Sequence, residues 1–438
     1  MYPSKDAPPS PRYTLQRRSY MTTVPIVLFA CMLWYSLGSF RHSFSAPKAI
    51  ISHCGHLSSI SLEEFQARQT TLARTLVDLK AAAYITEPGA SAEYYANISN
   101  ANWYLSERPL LLIITPEQSG DDIQAKISIL TPAFEIDRAK LLPIASNAVN
   151  FYEWAEDANP YDHALSALPN SVGAVFVDGH MRTFIVDGLR KAHPDPVASA
   201  PYEIQRIRER KSPSEIELLK CANEATVLSI RAVREKLYFG IRESAASAMM
   251  REALAAAGLR SGGCLTLFGE NAALPHGAGT DKTLGRNDFA LFDCTANLHG
   301  YSSDVTRTVA ISGSEIPADH LAIWYSVRDA QTSAIQTARA GVVAKEVDSA
   351  ARKSLNNTKY FTHRLGHGIG LEVHEDPYLN GGSLTVLETG HSFSDEPGYY
   401  VVGKVGVRLE DCFYIHENGS AVFLTAGVGG QAESPWRP

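Results

Sequence analysis

The sequence predicts an α/β domain followed by an α+β domain, and three observations carry that expectation. Over residues 61–205, short apolar runs bounded by Gly, Pro or Asp alternate with helical stretches. The segment His193-Pro194-Asp195-Pro196-Val197-Ala198-Ser199-Ala200-Pro201 is proline-rich, resists regular structure and marks an internal boundary. Across residues 206–438, capped helices are interleaved with strand pairs that carry acids at mirrored positions. With 438 residues, 45% of them hydrophobic and 20% charged, the chain can bury two cores of ordinary domain size.

Forty basic against 47 acidic side chains give a net charge of −7, which removes the electrostatic case for a nucleic-acid partner. A peptide or small-molecule substrate is expected instead, and a homodimer is an assembly open to the chain. Cys31, Cys54, Cys221, Cys264, Cys294 and Cys412 form no CxxC pair, so neither a disulfide-rich scaffold nor a zinc ribbon is expected. One or two isolated disulfides remain open, without an assigned pairing.

The N-terminal region reads as an address. Val24 to Phe40 carries no charge, follows Lys5, Arg12, Arg17 and Arg18, and sits near the lower length limit for a spanning helix. The expected division is a cytoplasmic tail over 1–22, a transmembrane signal anchor over 23–40 and a stalk over 41–60, with the catalytic part luminal or extracellular. A cleaved signal peptide ending near Ser36-Leu37-Gly38, and hence a secreted protein, is the alternative. Sequons at Asn97, Asn356 and Asn418 agree with a glycoprotein in that orientation.

Ser61-Leu62-Glu63-Glu64 has the capping-box pattern, and Phe65, Leu72, Leu76 and Leu79 recur at helical spacing, so a helix is expected to end near Lys80. Ala83-Tyr84-Ile85, Leu110 to Ile114 and Val175-Phe176-Val177 read as strands. Ser212-Pro213-Ser214-Glu215 combines an N-cap, a first-turn proline and a capping glutamate, opening a helix to about Lys236. Further helices are expected from Glu243 to Ala257, stopping at Gly258, and from Asp319 to Ala340, stopping at Gly341.

The chemistry concentrates between His276 and Glu410. The runs 290–295 and 303–309 each carry an acid and flank the turn-forming Asn297-Leu298-His299-Gly300. Symmetric folding about that turn puts Asp293 opposite Asp304, roughly 5 Å apart at Cβ. Folding 394–411 about Gly403 likewise puts Glu396 opposite Glu410. A single acid of this kind reads as a solvated strand residue, but four at mirrored positions in apolar surroundings need compensating cations. With His367, flanked by Gly366, Gly368 and Gly370, they match two divalent ions in charge. Oxygen-rich ligation with one imidazole favours Mn²⁺, with Co²⁺, Zn²⁺ or Fe²⁺ as alternatives.

At these motifs the sequence resembles the pita-bread metallopeptidase family, which includes Xaa-Pro aminopeptidases, prolidases, methionine aminopeptidases and creatinase. The matching stretches are Phe292-Asp293, Tyr301 to Thr308, Gly366 to Gly370, Glu396-Pro397-Gly398 and Val407 to Asp411. The resemblance implies a creatinase-like N-terminal domain over 61–205 and a pita-bread catalytic domain over 206–438, and it points to the proline-directed branch. It further implies that Asp293 binds one metal, that His367 and Glu396 bind the other, and that Asp304 and Glu410 bridge both. His276 and His374 match additional active-site histidines, and Asp395 occupies a position usually apolar in relatives. There it tunes the neighbouring ligand or faces water.

The expected mechanism is attack by metal-activated water, with His276 or His374 donating to the oxyanion, Glu396 moving the proton and Arg408 holding the carboxylates in place. The expected activity is that of an Xaa-Pro aminopeptidase rather than a dipeptidase. The alternatives are a diverted enzyme of the same fold acting on a non-peptide or biosynthetic substrate, and a metal-free binding protein.

Overall fold

Ser61 starts the first long helix in the expected way, its Oγ accepting a hydrogen bond from the Glu64 N–H at 3.3 Å. In this computed structural model, which describes residues 48–51, 53–120, 122–169, 173–356 and 358–438, that helix is α1 (Leu62–Asp78). Its Leu72 and Leu76 pack on one face of a six-stranded mixed sheet, against Leu112, Ile114, Ile127 and Ile129. The strands are β1 (Ala81–Thr86), β2 (Leu111–Ser119), β3 (Asp122–Pro132), β4 (Val149–Trp154), β5 (Ala174–Val177) and β6 (Val197–Ser199), in the order β4-β3-β2-β1-β5-β6. The other face carries Ala83, Ile85, Leu111, Ile113 and Val175, covered by Ile185 and Leu189 of α2 (Thr183–Ala192). Strand β1 is thus buried along its length, as expected for a sheet covered on both faces.

One expectation changes here. The proline-rich segment is not wholly irregular, because Val197–Ser199 pairs parallel with β5. It does so as an edge strand between Pro196 and Pro201, where proline's missing N–H is tolerated.

Ser212 and Glu215 form the expected capping box, with Oγ accepting from the Glu215 N–H at 3.2 Å and the Glu215 carboxylate accepting from the Ser212 N–H at 2.9 Å. Helix α3 (Pro213–Arg234) and helix α4 (Glu243–Ala256) then lead into an antiparallel sheet of β7 (Arg260–Phe268), β8 (Ala290–Leu298) and β9 (Tyr301–Val309). The same order follows again. Helices α5 (Ala318–Thr337) and α6 (Ala344–Leu355) precede a second antiparallel sheet of β10 (Gly366–Gly368), β11 (Glu375–Leu379), β12 (Ser392–Asp395), β15 (Asp411–Ile415) and β16 (Ala421–Phe423). Between β12 and β15 lies a hairpin of β13 (Gly398–Val401) and β14 (Val405–Arg408). Trp324, Val327, Val347, Leu365, Phe393 and Phe413 join α5 and α6 to this sheet. Cys54 is bonded to Cys221 and Cys264 to Cys294, while Cys412 is buried and free.

The membrane placement is corrected. The anchor expected over 23–40, with its tail and most of its stalk, lies outside the described residues, and among those described no helix is long and apolar enough to cross a membrane. An apolar run at the lower length limit is too weak a signal by itself. The membrane as partner, the single-pass topology and the luminal, extracellular or secreted placement are therefore not carried further. Nor is the glycoprotein reading. That reading depended on the orientation set by the anchor and falls with it; Asn97 Nδ2 donates to the Pro143 carbonyl at 3.0 Å, and Asn418 Oδ1 accepts from the Ser420 N–H and hydroxyl.

Arg307 on β9 links the two sheets at full burial. It donates to Asp411 Oδ1 at 2.6 Å and to the backbone carbonyls of Glu410 at 2.6 Å and Gly430 at 3.0 Å. Asp411 also accepts from Thr425 and Gln331. Arg307→Met leaves a buried carboxylate without its cation and is expected to cost about 3 kcal/mol or more. Urea unfolding measures this, and a loss below about 1 kcal/mol would show that the pair is dispensable.

Candidate metal centre and active site

The β8–β9 hairpin is closed by His299 and Gly300, at φ 50° and 91°, a two-residue turn with both central residues in the left-handed region. Leu298 pairs with Tyr301, one residue later along the chain than the expected centre. Asp293 therefore faces Thr306, and Asp304 faces Thr295, rather than each other. The correction preserves the face, because the register moves by an even step and both carboxylates stay on one side as diagonal neighbours.

The second hairpin keeps the expected register. Asp395 pairs with Asp411 and Gly398 with Arg408. Glu396 and Glu410 sit opposite each other in the gap between these ladders. Pro397 cannot donate there, and the freed N–H groups of Glu396 and Glu410 reach the carbonyls of Leu365 and Thr306 at 2.9 and 3.0 Å.

His367 lies on β10 between two glycines that the packing requires. A Cβ at Gly366 would lie 1.9 Å from the Ser394 carbonyl oxygen, and one at Gly368 would lie 2.5 Å from that of Glu375. Its Nδ1 is 3.0 Å from the Gly368 carbonyl, which turns Nε2 toward Glu396 Oε1 at 3.3 Å and Asp304 Oδ2 at 3.5 Å.

The structure brings the five expected ligands together. Donor atoms of Asp293, Asp304 and Glu410, of His367, Glu396 and Glu410, and of Asp304, His367 and His374 form three groups, with the atoms in each within 4.8 Å of one another. Burial drives the Asp304 and Glu410 carboxyls upward, and each is raised further by neighbouring acids. Burial works against a charged His367, yet hydrogen bonds to Asp304 and Glu396 push it up to about 10. Without a cation the cluster favours extra protons. Four converging carboxylates and one imidazole fit divalent metal ions on donor chemistry alone.

Surrounding side chains fix these donors. Arg408 donates to Asp293 Oδ2 at 2.6 Å, to Thr306 Oγ1 at 3.2 Å and to the Tyr400 hydroxyl at 3.0 Å. Thr306 in turn donates to Glu410 Oε2 at 2.6 Å, and Asn223 on α3 accepts from the Asp304 N–H at 3.1 Å. His374 stacks edge-on against His367 with ring centroids 4.2 Å apart, and burial together with the His367 charge keeps it below its ordinary pKa. His276 is exposed, close enough for its charge to act on His374.

Asp395 does not face water. It is fully buried, neither oxygen accepts a hydrogen bond, and burial followed by Asp411 and Glu396 pushes it well above the usual carboxylate range. His363, to which the sequence assigns no role, has its Nε2 2.8 Å from the Tyr400 hydroxyl. Its position four residues before His367 was the available signal.

Residues 217–417 match the profile of metallopeptidase family M24. An uncharacterized peptidase of Schizosaccharomyces pombe is 37% identical over 391 residues, covering 87% of this chain and 84% of the relative. The chain belongs to metallopeptidase family M24. An Xaa-Pro dipeptidase of Lactobacillus helveticus is 38% identical over 315 residues, covering 67% of this chain and 82% of that enzyme. The crystal structure of dipeptidase PepE from Mycobacterium ulcerans superposes with a TM-score of 0.76 at 28% identity, covering 84% of this chain and 97% of that one. The expected family, its proline-directed branch and the α/β creatinase-like plus α+β pita-bread fold stand, and the chain is a peptidase. Membership in M24 implies divalent metal ions, and the donor set fits them.

Arg408→Lys keeps the charge but cannot reach Asp293, Thr306 and Tyr400 together. It is expected to weaken metal affinity about 10- to 100-fold. Competition against a fluorescent chelator measures this, and unchanged affinity would remove Arg408 from the support of the centre.

Proposed function

We propose that the chain hydrolyses the peptide bond preceding proline and releases the N-terminal residue. In this reading Asp293, Asp304, His367, Glu396 and Glu410 hold two divalent ions, with Mn²⁺ preferred for its affinity for oxygen-rich sites. The convergence of those five donors from β8, β9, β10, the end of β12 and the start of β15 carries the proposal. Residues 61–205 and 206–438 are taken as the N-terminal and catalytic domains, a division supported by the capped start of α3 just beyond the mixed sheet.

When bound, such ions would acidify water and polarise the carbonyl of the bond to be cut. The remaining tasks fall to the side chains. Glu396, whose Oε1 accepts from the Ser394 hydroxyl at 3.3 Å, takes the proton released by the nucleophile and passes it to the leaving nitrogen. His374 and His276 border the cluster and donate to the developing oxyanion. Arg408 holds Asp293 in register with Glu410 through Thr306. A proline nitrogen bears no N–H and its φ is fixed, so a compact pocket suits it better than a groove that grips an extended backbone.

Similarity to dipeptidases favours a dipeptide substrate, whereas the expected aminopeptidase activity calls for a longer one. Rates on Ala-Pro and Ala-Pro-Ala-Ala separate the two. Protein supplied with Mn²⁺ is expected to cleave Ala-Pro and to leave Ala-Ala nearly untouched. Asp304→Asn is expected to lower kcat by about 10³-fold or more. Full turnover in excess chelator would overturn the assignment. His374→Gln is expected to lower kcat about 10²-fold with little change in KM, as for loss of an oxyanion donor. A change confined to KM would instead assign His374 to substrate binding.

A further inference from the structure

Beside the candidate centre, the mixed sheet and β11 enclose a cleft of about 170 Å³. His374 borders both, since one of its ring nitrogens lies within 4.8 Å of donor atoms of Asp304 and His367 while the residue also lines the cleft. Four acidic residues, Asp178, Glu209, Glu375 and Asp376, line the cleft together with one arginine, Arg208. Arg208 is already paired with Glu372 and Glu375, and Glu375 also accepts from Lys211. The remaining acids leave the cleft electronegative.

Two of those acids differ in a useful way. Asp178 is fixed, accepting from the Tyr84 hydroxyl at 2.9 Å, the Ser91 hydroxyl at 2.5 Å and the His180 N–H at 2.8 Å. Burial opposes its charge, but these hydrogen bonds hold it below the usual carboxylate range. Glu209 is only 5% exposed, and its Oε2 accepts no hydrogen bond. The His391 ring nitrogen nearest that oxygen is 4.0 Å away, beyond hydrogen-bonding distance. Burial, then Asp376, pushes Glu209 up to about 7, so a cation arriving in the cleft would relieve its desolvation.

We infer that this cleft receives the cationic side chain, lysine or arginine, of the substrate residue preceding the scissile bond, with Asp178 and Glu209 as its specificity determinants. The inference rests on the function proposed for the adjacent centre. The α-ammonium of that residue is two bonds from the scissile carbonyl and stays beside the cluster, whereas a long side chain can pass His374. Its methylenes then lie along Tyr84, Tyr95 and Ile204, which supply the apolar part of the wall.

The test compares Lys-Pro with norleucyl-proline, which keeps the four side-chain carbons and lacks the terminal ammonium. In Mn²⁺-supplied wild-type protein at low ionic strength, kcat/KM is expected to favour Lys-Pro by about tenfold or more, and the preference should shrink as salt is added. Glu209→Gln and Asp178→Asn should each lower that ratio by about threefold or more. Equal rates on the two dipeptides in the wild type, or a ratio unmoved in both variants, would overturn the inference. If neither dipeptide is cleaved, the same comparison is made on Lys-Pro-Ala-Ala and norleucyl-Pro-Ala-Ala; if those also resist, the functional reading falls, and calorimetry on the wild type then decides the cleft separately. Lys-Pro binding about tenfold tighter than norleucyl-proline upholds the inference, and equal affinities overturn it.

Discussion

Four carboxylates gathered around one imidazole, most of them out of water, repel one another unless positive charge is brought among them. That constraint organises much of the C-terminal half. Arg408 supplies one fixed cation against Asp293, and Arg307 holds Asp411 and the Glu410 carbonyl from behind. In the absence of metal, burial and neighbouring acids favour protons on Asp304 and Glu410, and hydrogen bonds to Asp304 and Glu396 favour one on His367. Divalent ions would replace those protons at the same donors, so one arrangement of side chains accounts for both the upward shifts and the affinity for metal.

Backbone geometry delivers the acids. A two-residue turn at His299-Gly300 sets the β8–β9 register, and Pro397 interrupts the ladder where Glu396 and Glu410 must turn inward. Gly366 and Gly368 let β10 press against its neighbours so that His367 reaches the same point. The remaining half of the chain contributes a wall. Its mixed sheet brings Tyr84 and Asp178 to a cleft that His374 shares with the centre.

Much of this was legible in the sequence because the signals are local. Capping residues at Ser61 and Ser212, Gly258 after a helix, and acid-bearing strands around a turn each point to one structure. The exact register around His299 was not, because several residues of Asn297-Leu298-His299-Gly300 can occupy a turn, and only an even displacement kept both acids on one face. Helix α6 was legible but not read: its buried Ala344, Val347, Ala351 and Leu355 recur at helical spacing, although no side-chain N-cap marks its start. The roles of His363, Asp395 and Glu209 depend on contacts or burial produced by tertiary packing, which spacing along the chain does not reveal. The N-terminal apolar run suggested more than its length could support.

The most direct test of the central claim is a crystal of the wild-type protein soaked in Mn²⁺ and measured at the manganese absorption edge. The account predicts two anomalous peaks per chain, together contacted by Asp293, Asp304, His367, Glu396 and Glu410. No peak at those side chains under saturating manganese, with the five still converged, would contradict it.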